Sequence, residues 1–223
     1  MRISFPLFFL TALAVCANGC VPGGSSLYGD MPVPAVIYES HTLEHFYDLV
    51  PIPAPATRAR VAESGSVEPG GERLSGDYVP AAPAFELAGR LDLASFPSML
   101  LLPDSFTPVT HRELGWIEEH GDDDSVMLYS NYADCTYKVV ASFDYDGKGK
   151  RDWLVVSTQQ LEREDAPLLI LWLLIENPPA EGYLRARLLG VEERFGISDT
   201  QAVMGTEAAA AAIVKLRGQL NLK

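Results

Sequence analysis

The chain is poor in cysteine, poor in basic residues and has no apolar run long enough to cross a bilayer. Its 223 residues include three cysteines, and 17 lysines and arginines against 30 aspartates and glutamates. Cys16 and Cys20 sit within the first twenty residues, which leaves Cys135 alone in the rest. No disulfide can therefore staple the later part of the chain, and its fold must rest on an apolar core. The formal charge of −13 repels phosphate backbones, so nucleic acid is excluded as a partner. The same charge repels anionic lipid headgroups. A membrane span needs about 20 apolar residues; Ile3 to Val15 and Leu168 to Ile175 both fall short. Also missing are a G-x-S-x-G elbow, a phosphate-cradling glycine loop and a dinucleotide fingerprint. Three large enzyme classes thereby lose their local signature.

What is present begins at residue 1. Arg2 is the only charge ahead of the apolar stretch Ile3 to Val15, and Ala17-Asn18-Gly19-Cys20 follows. A positive head, an apolar middle and small residues form the layout of an export signal with a cleavage site. The ending resembles a bacterial lipobox, with Ala17 where that pattern usually carries leucine. The resemblance implies a signal peptide over 1–19, cleavage before Cys20, and a diacylglycerol thioether plus an N-acyl chain on Cys20. More than one acyl chain is needed because a single chain binds a bilayer only marginally. Removing residues 1–19 deletes Arg2 and brings the side-chain charge to −14. Val21 follows the cysteine, which in a Gram-negative lipoprotein implies the outer membrane, facing the periplasm. Plain secretion after a cut at the same place is the alternative.

Residues 20–83 read as a lipidated cysteine and a flexible tether. Pro22, Pro32, Pro34, Pro51, Pro53, Pro55, Pro69, Pro80 and Pro83 break helices and ladders, and Gly23-Gly24 and Gly70-Gly71 raise the entropy cost of order. One ordered island is expected, a helix from Ser40 with Leu43, Phe46, Tyr47 and Val50 on one face, docked on the domain or on a partner. The same helix contains His41, Glu44 and His45, spaced H-x-x-E-H. That spacing resembles the inverted zinc-protease motif, but the scaffold of those proteases is absent and a polar helix face accounts for it.

Residues 84–223 read as one α+β domain, a mainly antiparallel β-meander packed by one or two helices. Thr107-Pro108 and Gly121 bracket an expected helix with Val109, Trp116 and Ile117 inward. Cys135, Tyr137, Val139, Ala141 and Phe143 alternate with more polar residues, predicting a strand with one apolar face. Trp153 to Thr158 predicts a second strand. Leu168 to Ile175 predicts a strand buried on both faces. Tyr183 to Leu189 predicts a fourth, with Arg185 and Arg187 outward. An alanine-rich helix capped by Thr206 closes the chain.

Between the first two of these strands lies Asp144-Tyr145-Asp146-Gly147-Lys148-Gly149-Lys150-Arg151-Asp152. This resembles the calcium loop of FG-GAP and VCBS-type repeats, D-x-[DN]-G-D-G-K-x-D before a hydrophobic strand. The resemblance implies calcium held by the side chains of Asp144, Asp146 and Asp152 and by the backbone carbonyl of Lys150. Calcium takes six to eight oxygens, and carboxylates at alternate positions of a tight loop converge on one centre. The family's central acid is Lys148 here. Either calcium binds weakly with other oxygens filling in, or the Lys148 ammonium replaces the ion; a plain hairpin with an acidic rim is the third reading. Those repeats build propellers in arrays, and one copy does not carry the propeller over.

Other chemistry is sparser. Cys135 could serve as a nucleophile with His111 or His120, although its place on an apolar strand face points to a buried small residue. Glu118, Glu119 and the run Asp122-Asp123-Asp124 are candidate paired acids. Tyr129, Tyr132, Tyr137 and Trp153 are candidates for a sugar-binding surface. The expectation from the whole is a lipid-anchored cell-envelope protein, a non-catalytic binding or assembly module with an envelope-protein partner. The alternative is a surface or periplasmic hydrolase, or a carbohydrate-acting protein, that uses acidic residues.

Overall fold

The apolar run at 168–175 lies at the middle of an antiparallel sheet, and both of its faces are covered. The computed structural model describes residues 36–49, 83–100, 107–122, 125–146, 148, 150–196 and 199–222, all within one compact unit, 32–223. The expected signal peptide, Cys20 and most of the expected tether lie outside the described residues. No helix among those described is long and apolar enough to cross a membrane.

The strands are β1 (Val36–Ile37), β2 (Leu91–Asp92), β3 (Ile117–Asp122), β4 (Ser125–Tyr129), β5 (Ala133–Phe143), β6 (Asp152–Leu161), β7 (Leu168–Ile175), β8 (Leu184–Arg185), β9 (Arg187–Phe195) and β10 (Asp199–Met204). The helices are α1 (Ser40–Leu49), α2 (Pro83–Arg90) and α3 (Thr206–Gln219), with a 3-10 turn at Leu93–Ser95. The main sheet runs β10-β9-β7-β6-β5-β4-β3, and β1 pairs with the far end of β5. Among the described residues every pairing in it is antiparallel, and only the small β2–β8 pair is parallel. The expected α+β meander with packed helices is the observed fold.

Two cores lie on opposite faces of the sheet. One joins Val139, Trp153, Val155, Leu171 and Leu173 to Leu87 of α2 and to Ile213 and Leu216 of α3. The other joins Ala141, Phe143, Leu154, Trp172 and Leu174 to Leu43 and Phe46 of α1. The helix from Ser40 therefore docks on the sheet. Its Phe46 ring lies 5.2 Å from Trp172, centroid to centroid.

Three expectations need correction. First, β5 does not keep one apolar face. A bulge between Val139 and Ala141 inserts Val140 as an extra residue. Cys135, Tyr137 and Val139 face the first core, while Val140, Ala141 and Phe143 face the second. The freed Val140 carbonyl accepts from the Tyr38 and Glu39 amides at 3.0 and 3.1 Å, which anchors the chain leading into α1.

Second, no helix spans 107–121. A capping box does form, with the Thr110 amide donating to Glu113 Oε2 at 2.8 Å and the Glu113 amide to Thr110 Oγ1 at 3.2 Å. It begins only a single turn, because Gly115 at φ +74° takes the left-handed conformation that ends helices. Ile117, expected inward, begins β3 and is 62% exposed. Third, Thr206 is the first residue of α3 and not its cap; Gly205 holds the cap position without a side-chain bond.

Candidate cation-binding loop

The β5–β6 hairpin closes where Phe143 pairs with Asp152. That register places Asp144 and Asp152 side by side at the base of the loop, both 4% exposed. Asp146 reaches back from the loop with its side chain 32% exposed. One carboxylate oxygen from each of the three lies within 4.8 Å of the others. Oxygens around a calcium ion sit about 2.3–2.6 Å from it, so no two can be more than about 4.6–5.2 Å apart. The spacing fits such a sphere. All three donors are hard oxygens, which suits calcium, and they supply three of the six to eight it takes.

Asp152 and Asp146 also have work inside the protein. Asp152 Oδ2 accepts the Tyr145 amide at 3.2 Å and Oδ1 accepts the Asn177 amide at 2.9 Å. It thereby ties the hairpin to a left-handed residue just beyond β7 (Asn177, φ 44°). Burial holds the Asp152 carboxyl above the usual aspartate range despite those two amides. Asp146 goes the other way. Partial burial would raise it, but its ion pair with the Lys148 ammonium and the Lys148 amide, 3.1 Å from Oδ1, keep it below the ordinary value. The same pairing raises Lys148. Lys148 thus lies against one carboxylate of the triad, as the internal-cation reading requires. Lys150, to which the resemblance assigns only a carbonyl, is exposed; Gly147 and Gly149 lie outside the described residues.

The remaining candidates do not assemble. Cys135 is buried, and burial pushes its thiol up to about 12, so it is no thiolate nucleophile at neutral pH. His111 is sealed in the core with its Nε2 2.9 Å from the Tyr137 hydroxyl, and burial lowers it to about 3. Glu118 and Glu119 are consecutive strand residues and point to opposite faces. The first pairs with Arg112 at 2.8 and 3.0 Å, the second with the Tyr129 hydroxyl. Tyr137 and Trp153 are core residues, so the four aromatics form no common surface. In the H-x-x-E-H segment His41 lies near Glu44 at 3.8 Å, whereas His45 turns to the sheet.

His45 leads to a group that the sequence did not single out. Glu192 of β9 is 1% exposed. It accepts the Trp172 indole N–H at 2.8 Å, meets His45 Nε2 at 3.2 Å, and has Arg194 at 3.7 Å. These contacts fasten α1 to the second core. No nearby residue pattern signals this, because His45 and Glu192 are 147 positions apart.

Compared with family models, curated proteins and solved structures, the chain matches none.

Proposed function

We propose that this is a lipid-anchored cell-envelope protein whose domain binds or assembles with a protein partner without catalysis, and that the β5–β6 loop is its cation-responsive element. The observation that carries the loop reading is the convergence of Asp144, Asp146 and Asp152 with Lys148 on the outermost of the three. Two buried carboxylates are costly to keep charged unless a cation is near. Lys148 supplies one at low calcium. Calcium, when bound, supplies a divalent charge at the same carboxylates and must compete with the ammonium for Asp146. Binding is therefore weak, and Lys148 sets the threshold.

The anchoring reading rests on the leader and Cys20, and the binding reading on how the polar groups are used. Cys135 and His111 serve the core. The open depression of about 400 Å³ beside Asp92 and Glu176 offers no pair of free acids, since Arg185 stands 4.0 Å from Asp92 and Arg187 2.7 Å from Glu176. This favours the binding module over the acid-using hydrolase.

Titration calorimetry with calcium tests the loop. Wild type is expected to give weak binding, Asp146→Ala none, and Lys148→Asp about tenfold tighter binding, because it exchanges a competitor for a ligand. No heat from any of the three, Lys148→Asp included, removes the cation reading. Mass spectrometry of the mature N-terminus tests the anchor. Acylated Cys20 is expected, and a chain that still begins at Met1 rules it out.

A further inference from the structure

The two end strands of the main sheet are built differently. β3 carries Glu118 and Glu119 and breaks register between His120 and Asp122, and both features discourage a further strand. β10 has neither lysine nor proline and pairs with β9 over six residues without a bulge. Thr200, Gln201 and Ala202 are exposed, and no strand lies beyond β10 among the described residues.

The phase of the free edge can be read directly. The Gly205 amide donates to the Leu189 carbonyl at 2.8 Å, one step past the Met204–Gly190 pair. In an antiparallel ladder alternate residues turn their polar groups to the same neighbour. Gly205, Val203, Gln201 and Asp199 therefore serve β9, while Thr200, Ala202 and Met204 hold their amides and carbonyls outward.

Charge selects the occupant. The chain carries −13, yet over residues 199–222 Asp199 and Glu207 are offset by Lys215 and Arg217. This stretch comprises β10 and α3, and α3 packs on β9 and β10. It is a neutral flank on an acidic molecule, where two copies can meet without repulsion. We propose that β10 is the interface of a two-fold symmetric dimer in which the β10 strands of two copies pair antiparallel. Centring the axis on Ala202 uses all three outward residues, with Ala202 facing its own counterpart and Thr200 facing Met204 of the second copy. Asp199 then lies opposite a glycine, Gly205, so no carboxylate is set against its own copy. The interface is isologous and closes on itself. It depends neither on the anchor nor on the loop.

Sedimentation of the protein as purified from cells, in detergent if it carries lipid, is expected to show a dimer. Ala202→Pro removes an outward amide from each copy while sparing the β9 ladder, and should weaken the dimer by about tenfold or more with an unchanged circular dichroism spectrum. Ala202→Cys should give a covalent dimer on mild oxidation, because directly opposed residues of this kind stand about 5.5 Å apart, within disulfide range. Glu119→Cys on β3 should not, with the parent protein oxidised alongside to set the background. A wild type that stays monomeric at high concentration overturns the proposal, as does Glu119→Cys crosslinking as readily as Ala202→Cys. If Ala202→Pro fails to fold, the cysteine pair decides.

Discussion

A histidine lowered to about 3 by burial makes a specific demand on pH. In the unfolded chain His111 titrates near its ordinary value, about 6.5. Below that pH the unfolded chain takes up a proton that the folded chain refuses. The contribution of His111 to stability is therefore complete above about pH 6.5 and is lost as pH falls toward 3, at no more than about 1.4 kcal/mol per pH unit. Denaturant melts between pH 5 and 6.5, above the range of ordinary carboxylates, should show that slope. His111→Gln keeps a polar partner for the Tyr137 hydroxyl but cannot titrate, so its slope should flatten; an unchanged slope would assign the effect to other groups. The loop carboxylates behave differently as single residues. Asp152 is raised by burial, while Asp146 is kept low by Lys148 in spite of partial burial. The triad was legible in the sequence because its members are near neighbours with fixed spacing. Which of them Lys148 would choose was not, because that depends on how far each side chain is buried by the hairpin.

At the level of elements, α1 is the most informative. It holds to the sheet by Phe46 against Trp172 and by His45 beside Glu192. Phe46→Ala should cost about 3–5 kcal/mol in urea unfolding, as for a large core side chain. Glu192→Ala leaves the Trp172 indole N–H without its acceptor and should cost about 1–3 kcal/mol. In both variants amide exchange should rise first over residues 40–49. Rapid exchange there in wild type would show that the helix is not held. The apolar face of α1 could be read from Leu43 and Phe46, but its anchor could not, since Glu192 follows Val191 on a strand with no local mark of burial. The strands β5, β6 and β7 were legible because period two and an unbroken apolar run are backbone geometry written in side chains. The β5 bulge was hidden because Val139, Val140 and Ala141 are all apolar, so the pattern does not register where the strand changes face. The 107–121 helix failed for a related reason. The expected signals, Thr107-Pro108 and Gly121, bracket no helix; the capping box at Thr110 and the left-handed Gly115 leave room for only one turn.

At the level of the whole molecule, the decisive feature is that β7, like β5 and β6, belongs to both cores. Leu169, Leu171, Leu173 and Ile175 of β7 face the side of α2 and α3, and Trp172 and Leu174 face the side of α1. The two halves have no separate floor. Loss of either would leave the common strands bare to water on one side and strip contacts from the other, so partial melting has no stable stopping point. Scanning calorimetry should record one peak, with the van't Hoff and calorimetric enthalpies equal. Two peaks would mean that the layers come apart independently. A domain that melts as a unit transmits damage as a unit: a lesion beneath α1 should lower the melting temperature seen by a probe at Trp153, on the opposite side, by as much as it lowers the one seen at Trp172.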